Sequence, residues 1–125
     1  MMMMEEMAMP FEKYWHEMSF QLPTPIQENV FKPLLQGKDV VGLSPTGTGK
    51  TLAYAIPLLQ KTDANKELQL LVLVPSQELA HQVGHVLAEW GSLKYLSAQV
   101  IIGGANVGRQ IDKQKEKPEI VVGTP

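Results

Sequence analysis

The apolar positions of this chain change their period along its length. From residue 39 onward they fall in short, nearly unbroken runs: DVVGL (39–43), LQLLVLV (68–74), SAQVII (97–102) and IVV (120–122). Runs this short and this apolar predict strands, and LQLLVLV in particular predicts one buried on both faces. Between the runs the spacing becomes helical. TGTGKTLAYAIPLLQK holds a glycine loop and a helix, and SQELAHQVGHVLAEW (76–90) predicts a helix closed by Gly91. Upstream, FEKYWHEM (11–18) predicts a short amphipathic helix. Thr24 as N-cap and Pro25 as first helical residue predict another, weakening near Pro33 and ended by Gly37. Buried strands alternating with helices predict an α/β fold with a parallel, doubly wound sheet. Ligands of such sheets bind beyond the carboxyl ends of the strands. Right-handed crossovers place SPTGTGK, PSQE, GGAN and GTP together on that edge.

Composition narrows the classes. A chain of 125 residues fits one domain, and 44% hydrophobic with 19% charged residues reads as soluble and globular. The net charge of −2 lacks the overall basic footprint of a general nucleic-acid binder, although local basic clusters can be diluted by acidic faces. With no cysteine, disulfides and thiolate metal sites are excluded, which suits a reducing cytosol and predicts a cytoplasmic location. The start, MMMMEEMAMP, has Glu5 and Glu6 but no early Lys or Arg and no apolar core, so it does not read as a signal peptide. No apolar run approaches the roughly 18–20 residues of a membrane span, so no membrane partner is expected.

The strongest chemical motif is SPTGTGKT (44–51), which follows a predicted strand and opens a predicted helix. In that context Gly47 and Gly49 let the backbone turn its N–H groups onto phosphate oxygens, and the helix start adds its positive dipole end. Lys50 can reach the β- and γ-phosphates, and the Thr51 hydroxyl suits Mg²⁺. Ser44 stands where the strict motif has Gly, a small residue that still lets the loop close. Ser44, Thr46, Gly47, Thr48, Gly49, Lys50 and Thr51 are therefore the candidate phosphate site, with Lys50 and Thr51 also candidates for the chemistry.

Upstream, the Gln27 amide offers a donor and an acceptor side by side, matching adenine N6–H and N7 and mismatching guanine O6. Phe20 is near enough in sequence to stack on the base. Taken alone, Gln27 reads rather as a solvent-facing residue on the first turn of a helix. PSQELA is likewise a plain helix start capped by Ser76, and Gly103–Gly104 a plain turn. Arg109, Lys113, Lys115 and Lys117 alternate with Asp112 and Glu116 and read as a solvated face. His81 and His85 share a helical face but have no third ligand in the sequence nearby.

PTPIQ (23–27), PTGTGKT (45–51), PSQELA (75–80), IGG (102–104) and VVGTP (121–125), in that order, resemble the opening motifs of the DEAD-box ATP-dependent RNA helicases. The resemblance runs from about Phe20 to Pro125. It implies a RecA-like P-loop domain, with residues 1–19 an N-terminal extension and short helix and 20–125 the N-terminal part of the first helicase domain. It implies ATP and Mg²⁺ as cofactors. It also implies RNA as partner, gripped through its phosphate backbone by Pro75, Ser76, Gln77, Gly103, Gly104 and Thr124. Three positions depart from the family's usual residues: Gln77 for Arg, Ser76 for Thr and Ser19 for Gly, so weaker RNA binding is expected. Thr124–Pro125 match the first half of a motif, so the sequence is expected to stop inside it, ahead of the Asp-Glu-Ala-Asp and Ser-Ala-Thr motifs and the second domain. Nucleotide binding without hydrolysis or unwinding is the consequence, and exposed strand edges are expected to favour self-association. A DNA helicase or translocase of the same superfamily, or a non-enzymatic nucleotide- or RNA-binding module, would share the loop.

Overall fold

The computed structural model describes residues 2–18, 22–45, 49–102 and 117–125. They fall into two compact units, Met1–Lys61 and Thr62–Pro125.

The first unit is helical in its described residues. It holds α1 (Met2–Glu6), α2 (Phe11–Glu17), α3 (Pro25–Leu35) and α4 (Lys50–Gln60). Phe31 of α3 and Ile56 and Leu59 of α4 are essentially inaccessible to water. Each such side chain contributes about 1.5–3 kcal/mol by leaving water. Met3, Met7, Phe11 and Trp15 are buried too, so the start of the chain is part of this core. The α3 helix runs through Pro33 and stops where predicted, with Gly37 in the left-handed region at φ 79°.

The predicted strand 39–43 does not form: residues 39–45 carry no regular structure. Val41 is 90% and Leu43 89% exposed, whereas Val40 and Gly42 face an apolar cavity of about 280 Å³ lined also by Ile26, Val30, Leu34, Ala53 and Tyr54. The side chains alternate as in a strand, but no neighbouring strand is present among the described residues to complete a ladder. An isolated extended segment leaves its backbone groups to water and has nothing to hold its register.

Among its described residues the second unit is a parallel sheet under one α-helix. Its strands are β1 (Leu70–Leu73), β2 (Ala98–Ile101) and β3 (Ile120–Gly123), in spatial order β1-β3-β2. Leu70, Ile120 and Ala98 lie in register, as do Val72, Val122 and Val100. This row faces α5 (Gln77–Gly91), whose Gly84 lets Val100 come so close that an added Cβ would lie 2.4 Å from a Val100 methyl. The opposite face corrects the expectation for LQLLVLV. Leu71 and Leu73 are 56% and 62% exposed, because among the described residues α5 covers only the other face of β1.

The end of α5 also differs from the sequence reading. Gly91 is still helical and buried, with Ile120 and Leu96 against it. The chain continues through a 3₁₀ turn, Ser92–Lys94, and Tyr95 takes the left-handed position at φ 59°. Gly91 is required for close packing rather than as a cap. At the amino ends of the strands, Ser97 donates to the Glu119 carboxylate from its N–H (2.7 Å) and its Oγ (3.1 Å). Burial alone would raise this carboxyl, but these bonds and backbone donors including Asn65 outweigh it and hold Glu119 below the ordinary value.

Candidate nucleotide and phosphate sites

The first candidate site is built where the starts of α3 and α4 converge. Thr24 has extended backbone (φ −72°, ψ 162°) and caps α3 by accepting from the Gln27 N–H. Gln27 reciprocates: its Oε1 accepts from the Thr24 N–H at 2.9 Å, closing a capping box. Its Nε2 donates to the Gly49 carbonyl at 3.2 Å, across 22 residues of sequence. Thr24 is the predicted cap, and Gln27, three residues on, completes a Thr-x-x-Gln signal that the sequence also carries. Gln27 is only 4% exposed, which excludes the solvent-facing alternative.

Gly49 is the hinge between loop and helix. Its φ of 77° suits glycine, and a Cβ there would lie 2.3 Å from Gln27 Nε2. Lys50 and Thr51 follow as the first residues of α4, with Lys50 exposed and Thr51 half-buried. The first turn of α4 contains no acidic residue, so its amino end keeps its positive character. Burial pushes the Tyr54 phenol above its ordinary value, while a side-chain hydrogen bond with Thr51 pulls the other way. Ser44 is half-buried, its hydroxyl 3.5 Å from the Pro45 carbonyl. Phe20, Thr46, Gly47 and Thr48 lie outside the described residues. The structure thus brings Thr24, Gln27, Gly49 and Lys50 to one place.

The second candidate site lies at the carboxyl ends of the parallel strands, inside the second unit. Ser76 caps α5, its hydroxyl accepting from the Leu79 N–H at 3.1 Å. Pro75, Ser76 and Gln77 are all exposed. Next to them, Val74 N–H donates to the Gly123 carbonyl at 2.9 Å, and Thr124 N–H to the Ile101 carbonyl at 3.3 Å. Pro75–Gln77 and Thr124 therefore share one edge, as the topology predicted. Gly103 and Gly104 lie outside the described residues. So do Arg109, Lys113, Lys115, Asp112 and Glu116; Lys117 is exposed and pairs with Glu67 at 3.2 Å. Among the described residues no group of His, Asp and Glu could hold a metal ion, and no helix is long and apolar enough to cross a membrane.

Comparison with known proteins gives the family and the fold. The profile of the DEAD/DEAH box helicases matches residues 24–125. A probable ATP-dependent RNA helicase of Bacillus subtilis, YfmL, is 46% identical over 115 residues, covering 91% of this chain and 31% of that protein. Among solved structures, the DEAD-box helicase Mss116 bound to single-stranded RNA and UDP-BeF superposes with a TM-score of 0.85 at 28% identity, over 97% of this chain and 27% of that one. The RNA helicase Prp28 of Chaetomium thermophilum, bound to ADP, gives a TM-score of 0.82 at 29% identity, over 97% of this chain and 31% of that one. The chain thus spans about a third or less of these proteins. Together with the motif order, the parallel sheet and the loop-to-helix junction, these likenesses show that the chain belongs to the DEAD/DEAH box helicase family and that its fold is RecA-like.

Proposed function

We propose that this chain is the ATP-binding portion of an RNA helicase that couples ATP binding and hydrolysis to unwinding or remodelling of RNA duplexes. The observation that carries the reading is the meeting of Gln27 with Gly49 at the start of α4. That meeting supports an adenine-matching role for the Gln27 amide next to Gly49 and Lys50. Gln27 uses both amide atoms within the protein, so reading the base exchanges those bonds for adenine N6–H and N7. Phe20 stacks on the base. Residues 44–49 wrap the phosphates, Lys50 neutralises their charge, and Thr51 offers Mg²⁺ the hard oxygen ligand it favours. Bound Mg²⁺ would offset charge on the phosphates. Ser76, Gln77, Gly103 and Gly104 take RNA phosphates through backbone N–H groups, Ser76 and Thr124 through their hydroxyls, and Pro75, which has neither donor, touches the RNA strand by contact alone; this needs little net positive charge. The protein acts in the cytoplasm.

These 125 residues bind nucleotide but do not turn it over, since neither an Asp-Glu-Ala-Asp nor a Ser-Ala-Thr sequence occurs in them. Equilibrium dialysis with Mg-ATP is expected to show binding that Lys50→Ala abolishes. Phosphate release is expected to match that of the Lys50→Ala control. Release well above the control would refute the inactive-chain reading, and undiminished binding by Lys50→Ala would refute the site.

The chain also self-associates through its unpaired apolar segments. Leu71 and Leu73 on the edge strand, and Val41 and Leu43 on the unpaired segment, present side chains that a second copy can cover. Light scattering at rising concentration is expected to show growth that Leu73→Lys suppresses; a monomer throughout would contradict it.

A further inference from the structure

The Met-rich start of the chain has a place that its sequence does not announce. Met3 N–H donates to Glu28 Oε1 at 3.1 Å, on the residue directly after Gln27. Further along, Gln60, the last residue of α4, accepts from Ala8 N–H at 2.8 Å and donates to the Glu6 carbonyl at 3.4 Å. Glu6 also approaches Lys32 of α3 at 3.8 Å. Met3 and Met7 are buried between these polar ties. Meanwhile Gln27 meets Gly49 at one end of the helix pair, and Lys61 Nζ reaches the Leu34 carbonyl at the other. So α3 and α4 run side by side in the same direction, and the first residues of the chain run along them, bonded to both.

We infer that residues 2–9 are a splint that fixes the register of α3 against α4, with Glu28 and Gln60 as positioning residues for nucleotide binding. The inference rests on the adenine reading above. A nucleotide joins base and phosphates covalently, so both ends are satisfied only if the distance from Gln27 to Lys50 is held. Loosening the helix pair lets the base contact slip while the phosphate contacts, all on the loop and α4, persist. The splint therefore acts on base selectivity more than on phosphate affinity, which separates it from a general contribution to folding.

The test uses the full chain and three probes: Mg-ADP, Mg-GDP and Mg-pyrophosphate. Gln60→Met keeps the side chain's length and removes both amide bonds. It is expected to weaken ADP about fivefold, the scale of one lost hydrogen bond, with GDP and pyrophosphate changed less than about twofold. Ala8→Pro, which removes one donor at an exposed position, is expected to move selectivity the same way. Gln60→Glu, which keeps the acceptor for Ala8, is expected to recover part of it. Equal weakening of all three probes, or unchanged selectivity in both Gln60→Met and Ala8→Pro, would overturn the splint while leaving the adenine reading standing. Equal binding of ADP and GDP by the unsubstituted chain would overturn both.

Discussion

Val40–Leu43 and Leu70–Leu73 are alike in apolar content, yet one is an unpaired segment and the other a strand. Leu70–Leu73 has β3 beside it in register and α5 over one face. Val40–Leu43 has the α3–α4 pair beneath Val40 and Gly42 but no ladder partner among the described residues. The difference teaches that β propensity is a statement about neighbours: a run of valines and leucines fits a pleated surface, but it becomes a strand only when another strand takes its N–H and C=O groups.

That comparison can be broken most directly by removing side chains from each region. Ile120→Ala empties a fully buried position on the central strand and is expected to cost about 3 kcal/mol in urea unfolding, whereas Val41→Ala is expected to change stability by less than about 0.5 kcal/mol. Similar costs at both sites would mean that residues 39–45 are packed in solution. Next come the two left-handed glycines of the helical unit. Gly37→Ala meets only Lys61 Nζ at 3.4 Å and is expected to cost about 1 kcal/mol. Gly49→Ala adds the 2.3 Å encounter with Gln27 and is expected to cost about 2 kcal/mol and to weaken ADP binding as well. Calorimetry on the pair shows whether the Gln27 contact or the backbone angle dominates.

Smaller effects separate the caps. Thr24→Ala and Ser76→Ala are each expected to cost about 1 kcal/mol, but only Thr24→Ala, by removing the hydroxyl that accepts from the Gln27 backbone N–H, acts next to the nucleotide site and weakens binding. The smallest expected effect is acid sensitivity in the strand unit. Because Glu119 has a lowered folded-state value, its stabilisation is present above the ordinary carboxylate range and is lost as pH falls through the folded value. Ser97→Ala is expected to flatten the dependence of the melting temperature on pH in that range, and an unaltered slope would assign the acid response elsewhere.

Much of this was legible in the residues. The caps Thr24 and Ser76 and the terminator Gly37 act locally, so short sequence windows contain the physics. The order of strand and helix motifs likewise carried the parallel sheet. What escaped was non-local. Nothing within LQLLVLV tells that one face stays open, nothing near Gly91 tells that Ile120 will press on it, and nothing near Gln60 tells that it ties to Glu6 and Ala8. Of the candidate sites, the adenine reading of Gln27 came from its amide chemistry and the family likeness, and Thr-x-x-Gln carried the cap; the bond from Gln27 to the Gly49 carbonyl, 22 residues on, belongs to the fold.

The most direct test of the account is a ¹H–¹⁵N spectrum of the chain titrated with Mg-ADP and, separately, Mg-GDP. A dispersed spectrum is expected, in which ADP, and not GDP, shifts the backbone signals of Gly49–Thr51 together with the Gln27 side-chain amide. Equal shifts with both nucleotides, or shifts at Gly49–Thr51 that leave the Gln27 amide unmoved, would contradict the claim that these residues form one adenine-reading site.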